Sequence, residues 1–192
     1  MIFEMACRQM AAWLAEGIPP IRMAINLSAK QFRHKTLPEM LGRIISNTGI
    51  DPRLLELEIT ESATMEHPEE AIRQLVLLKD MGLELSIDDF GTGYSSLSYL
   101  KLFPVNRLKI DRSFVKDIET DANDAAIAAA TISLAHTLGK EVTAEGVETE
   151  AQLSFLTHQQ CDYIQGYFFS HPLPADKAAE FIRLTMAGLT GK

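Results

Sequence analysis

Cysteine is almost missing from this chain. Of its 192 residues only Cys7 and Cys161 are cysteines, with no CxxC pair and no metal-ligand spacing between them. That excludes a disulfide scaffold and a thiolate metal site, fits a reducing compartment, and makes both residues core thiols. A Lys/Arg run and an arginine-rich helix are absent too, and the formal net charge is −8. Broad binding to nucleic acid or to an acidic membrane is thereby disfavoured, so a phosphate-bearing ligand would have to be met locally, by a metal or a few bases. No apolar stretch reaches membrane-spanning length, and the first residues lack the basic-then-apolar order of a signal peptide. The segment is therefore expected to make no membrane contact and to work in the cytoplasm. His34, His67, His136, His158 and His171 are scattered without ligand spacing and read as surface or packing residues.

What is present is a 46% hydrophobic content, enough for one substantial core. Helical periodicity runs through residues 2–16, 37–47, 68–82, 124–138, 149–159 and 176–186, with a short helix or turn at 97–100. Strand patterns occupy residues 21–26, 54–60, 83–88, 107–111, 141–144 and 163–166. Such alternation implies an α/β protein with a mostly parallel sheet, and six units favour a TIM-like (β/α) barrel, with an open sheet as the alternative.

In either architecture the C-terminal strand ends share one face, and each strand brings a polar group to it. These are Asn26, Glu58, Asp88 with Asp89, Lys109 with Asp111, Glu145, and Gln165. One acid at a strand end is usually a helix cap or a solvated loop residue, but six consecutive strands ending this way are hard to explain structurally. The set offers oxygen donors without imidazole or thiolate, which suits Mg²⁺ or Mn²⁺ and not zinc. Asp88 and Asp89 stand side by side beyond a buried strand, where they repel one another unless a cation neutralises them. Gly91, Thr92, Gly93, Ser95 and Ser96 follow, and the glycines allow the loop to fold sharply back beside the acids. The alternative is an ordinary strand exit in which Asp88 caps the next turn and Asp89 is solvated.

Six ordered motifs carry a family resemblance: Asn26-Leu27-Ser28, Glu58-Ile59-Thr60-Glu61, Asp88-Asp89-Phe90-Gly91-Thr92-Gly93-Tyr94-Ser95-Ser96-Leu97, Lys109-Ile110-Asp111, Ala144-Glu145-Gly146-Val147-Glu148 and Gln165-Gly166-Tyr167. Together they closely resemble the EAL-domain cyclic di-GMP phosphodiesterases. The resemblance implies hydrolysis of cyclic di-GMP to linear pGpG with two Mg²⁺ or Mn²⁺ ions, Ca²⁺ being inhibitory. It makes Asn26, Glu58 and Asp88 ligands of one metal, and Asp88, Asp89 and Glu145 ligands of a second, about 3.5–4 Å away. Lys109 would orient water or stabilise phosphate charge, Glu145 could also act as general base, and Gln165 would hydrogen-bond near the metal water or substrate. Asp111 would support the site from the side, and Glu61 would anchor the loop from Gly91 to Ser96. The family also implies a homodimer through the region after that loop, where Leu97, Tyr99, Leu100 and Phe103 supply apolar surface or core, and fusion to sensory or GGDEF domains.

One feature of the family is absent: no Glu-Ala-Leu triplet occurs in this sequence. In the family it lies upstream of the helix resembled by residues 2–16 and its glutamate is a ligand of the first metal. The expectation is an incomplete EAL domain over residues 1–187 with a tail at 188–192, the barrel's first two strands lacking and activity impaired. A cyclic di-GMP receptor that binds without cleaving, or a signalling interaction module, is the alternative function.

Overall fold

In a computed structural model, residues 2–93 and 96–189 are described. Six strands form one sheet: β1 (Met23–Leu27), β2 (Leu55–Thr60), β3 (Glu84–Phe90), β4 (Arg107–Ile110), β5 (Glu141–Glu145) and β6 (Tyr163–Gln165). Their spatial order is the chain order, and every pairing is parallel. A doubly wound open sheet reverses direction at a switch point, whereas strictly sequential order belongs to a singly wound barrel wall. That decides the question left open by periodicity, and the sheet is a curled half-barrel whose two edges are β1 and β6.

The expected helices are α1 (Ile2–Ala15), α3 (Leu37–Thr48), α5 (Pro68–Asp80), α6 (Leu97–Leu100), α8 (Ala122–Thr137), α9 (Glu150–His158) and α10 (Ala175–Leu189). The last continues past residue 187. Three short helices went unforeseen, α2 (Ala29–Phe32), α4 (Glu61–Met65) and α7 (Arg112–Lys116). Each is under two turns long, too short for an apolar period, and each begins within two residues of a strand end. Local caps define two of them. Ser28 and Gln31 form a capping box at α2, and Asp111 accepts the Ser113 N–H at α7.

Alternation along the strands divides the molecule into an apolar layer and a polar one. Leu55, Leu57 and Ile59 of β2, Leu85 and Ile87 of β3, Leu108 and Ile110 of β4, and Val142 and Ala144 of β5 are fully buried in one hydrophobic core. The opposite strand face, the barrel interior, carries charge in two tiers. In the lower tier the buried Arg107 donates to Glu56 Oε2 at 2.8 Å and to Glu141 Oε2 at 2.9 Å, and lies 3.9 Å from the centre of the Tyr163 ring. Two residues further along β2 and β4 the upper tier begins with Glu58 and Lys109. No helix among the described residues is long and apolar enough to cross a membrane.

Candidate metal centre

Lys109 is the hub of the upper tier. Its ammonium lies 2.7 Å from Glu58 Oε1, 2.6 Å from Glu145 Oε1 and 3.0 Å from Asp88 Oδ1. The contact with Asp88 is off the hydrogen-bond direction, so Asp88 Oδ1 is buried without a hydrogen bond. Burial alone would lower the Lys109 pKa, but the facing carboxylates of Glu58 and Glu145 outweigh it and push it up. Glu58 and Glu145 are shifted up as well, by burial first, with Lys109 only partly compensating. One cation thus serves three acids, and the site remains short of positive charge.

Asp89 adds a further acid by an unusual route. Successive strand residues point to opposite faces, so regular alternation would send the carboxylates of Asp88 and Asp89 apart. The β3–β4 register shifts between Ile87 and Phe90, and Asp89 takes a left-handed φ of 54°. Aspartate tolerates that region better than most residues, and such strain gathers at functional sites. The outcome is that carboxylate oxygens of Asp88, Asp89 and Glu145 all lie within 4.8 Å of one another. Burial, then the charges of Asp88 and Asp111, raise the Asp89 pKa. Burial also works upward on Asp111, but hydrogen bonds from Ser113 and Asp89 prevail and lower it.

Asn26 ends β1 opposite Glu58 in the register. Its side-chain amide nitrogen donates to Asp88 Oδ2 and Glu58 Oε2, each 3.3 Å away, and the rotated amide would instead offer its oxygen to a cation there. The Glu58 and Asp88 carboxylates on either side of this amide repel one another, and a hard cation between them would turn that repulsion into coordination. With the orphaned Asp88 Oδ1, this donor set fits a divalent metal. Gln165 ends β6 beside Glu145 in the register, with an exposed side chain.

Glu61, buried at the start of α4, accepts the Gly91 N–H through Oε2 at 2.8 Å, and Gly93 packs directly on its carboxylate. Thr92 Oγ1 donates to the Asp89 carbonyl at 2.8 Å, and Ser96 occupies the N-cap position of α6 without a side-chain cap bond, its hydroxyl lying 2.7 Å from Ser98 Oγ. Ser95 lies outside the described residues. Leu100 and Phe103 are buried in the core whereas Leu97 is exposed. Sequence reading found these polar residues but missed how their exits interlock. The Gly146 α-carbon faces Arg112 so closely that a Cβ would lie 2.6 Å from the Arg112 Cβ, and one on Gly166 would lie 2.0 Å from the Val147 carbonyl oxygen. Only the glycines themselves hinted at this in the sequence.

Residues 1–172 match the family described as the EAL domain. The Signaling protein YkoW of Bacillus subtilis is 44% identical over 181 residues, which cover 94% of this chain and 22% of that protein. The bifunctional diguanylate cyclase/cyclic di-GMP phosphodiesterase MucR of Pseudomonas aeruginosa is 44% identical over 176 residues, 92% of this chain and 26% of that one. The solved cyclic di-GMP complex of the PaMucR phosphodiesterase superposes with a TM-score of 0.89 at 44% identity, covering 92% of this chain and 72% of that one. The chain thus spans about a quarter of the length of the curated relatives it matches.

Proposed function

The chain belongs to the EAL domain family, and on that premise we propose that it is a phosphodiesterase domain that hydrolyses cyclic di-GMP to pGpG with two Mg²⁺ or Mn²⁺ ions. The observation that carries this reading is the convergence of Asp88, Asp89 and Glu145, their carboxylate oxygens within 4.8 Å of one another on a strand-end face short of positive charge. In this reading Asn26, Glu58 and Asp88 would hold one ion, and Asp88, Asp89 and Glu145 the other. When bound, such ions lower the pKa of water and withdraw charge from phosphoryl oxygens.

The chain's own groups have distinct tasks. Lys109, whose ammonium lies within 3.0 Å of Glu58, Asp88 and Glu145, stabilises negative charge on the phosphate. Glu145, whose carboxyl is shifted up by burial, takes the proton from the attacking water. Gln165 orients that water or the substrate by hydrogen bonds. The water oxygen bonds to phosphorus, the bond from phosphorus to one ribose 3′ oxygen breaks, and that oxygen leaves with the proton that Glu145 took from the water. Asp111 supports Asp89, and Glu61 holds the turn after it. Ca²⁺ would occupy the site without supporting turnover.

The wider assembly is part of the same proposal. Relatives named as a bifunctional cyclase/phosphodiesterase and as an oxygen sensor support fusion to GGDEF or sensory domains. The exposed Leu97 after the Gly91 turn supports a homodimer there, and the domain is proposed to act in the cytosol. A second reading is a receptor that binds cyclic di-GMP without cleaving it. Following pGpG by chromatography separates the two. Product is expected with Mg²⁺ or Mn²⁺ and none with EDTA, Ca²⁺ or Asp88→Asn. Binding in every metal with no product in any would establish the receptor.

A further inference from the structure

We propose that Gln152 is a positioning residue for the metal centre, tying α7 to the turn between β5 and α9 and so fixing Glu145 relative to Asp89. The inference rests on the two-metal reading above and deepens it. Gln152 is 4% exposed, in the first turn of α9, and uses both ends of its amide. Its Oε1 accepts the N–H groups of Glu148 at 2.7 Å and Thr149 at 3.0 Å, while its Nε2 donates to the Lys116 carbonyl at 3.0 Å. The first two bonds hold the turn that follows Glu145, and the third holds the end of α7.

The importance of that third bond comes from where α7 sits. This five-residue helix starts at the residue after Asp111, which caps it, and wedges between two strand exits. Its Arg112 packs against Gly146, next to Glu145, and its Phe114 lies where a Cβ on Gly91 would be, 3.0 Å from Cε2, just beyond Asp89. A shift of α7 therefore moves both sides of the acidic triad. The helix is too short to hold its own position, and the Gln152 amide is the buried polar link from its last residue to the Glu145 turn. Groups that orient metal ligands from outside typically contribute about 10- to 100-fold in affinity.

Gln152→Glu isolates the tether. A glutamate at this position still accepts the Glu148 and Thr149 N–H groups at a helix N-terminus, but cannot donate to the Lys116 carbonyl. Thr149→Val is the complementary change, removing the hydroxyl cap and the Thr149 bond to Glu119 Oε1 while leaving the Gln152 bond to the Lys116 carbonyl. Calorimetric titration with Mn²⁺ should show roughly tenfold weaker binding for Gln152→Glu and near-native binding for Thr149→Val, even where the latter melts lower. With cyclic di-GMP, Gln152→Glu should lower kcat and leave KM in place. Native Mn²⁺ affinity in Gln152→Glu, or equal weakening in both variants, would overturn the proposal. Absence of Mn²⁺ binding by the native chain would instead remove the metal reading, and this inference with it.

Discussion

Asp89 shows how much of the site depends on one backbone conformation. The adjacent acids were legible in the sequence, but two-residue periodicity gives no hint that both carboxylates enter the same site. The register shift and the φ of 54° bring that about. Asp89→Asn keeps a side chain that tolerates the left-handed region while removing a like charge beside Asp88. The metal-free variant should be more stable by about 0.5–1 kcal/mol in urea melts, because one source of repulsion is gone, and should bind Mn²⁺ at least about tenfold more weakly. The raised carboxyl groups give a pH prediction. Glu58, Asp89 and Glu145 hold protons in the folded state that the unfolded chain releases, starting from ordinary values of 4.5, 3.8 and 4.5. Their contribution to stability is therefore full below those values and is lost as pH rises through the higher folded-state ones, while Asp111 works in the opposite sense. Urea midpoints of the metal-free chain should fall from pH 4.5 towards neutrality, and saturating Mn²⁺ should reverse that slope, since ligands must lose their protons to bind.

At the scale of elements, the strand exits act as one interlocked unit. Gly146 has a φ of 73° and sits on Arg112, so Gly146→Ala meets both backbone strain and a contact at 2.6 Å. A loss of about 1–3 kcal/mol is expected in thermal melts, together with weaker Mn²⁺ binding as Glu145 is displaced. Beneath this unit the lower tier stands on Arg107, whose guanidinium satisfies the buried Glu56. Removing one partner of a buried pair leaves the other charge poorly compensated, here only by the half-exposed Arg22 at 3.9 Å from Glu56 Oε2, so Arg107→Ala should cost up to about 3–5 kcal/mol. A loss below about 1 kcal/mol would mean that water already screens the pair. The sequence placed Glu56 and Glu58 on one strand face, but not the separation of that face into a structural tier and a chemical one. Arg107 lies 51 positions from Glu56, and no local pattern announces so distant a partner.

For the whole molecule, the six strands were readable because each is a separate apolar run punctuated by Gly, Pro or a cap. Their arrangement as a singly wound half-barrel required the structure, since the same runs are compatible with a doubly wound sheet. The strand-end residues were legible for a related reason: parallel strands deliver all their C-terminal ends to one face, so polar residues far apart in sequence become candidates for one site. The linkages holding those ends at their working distances were not legible, because Gln152, Arg112 and Val147 look like ordinary helix and loop residues until the close contacts are seen. The central claim is that this face is a two-metal centre with Asp88 common to both ions. An anomalous difference map from crystals soaked in Mn²⁺ tests it most directly. The account predicts two peaks, one among Asn26, Glu58 and Asp88 and the other among Asp88, Asp89 and Glu145; a map with no peak at Asp88 would contradict it.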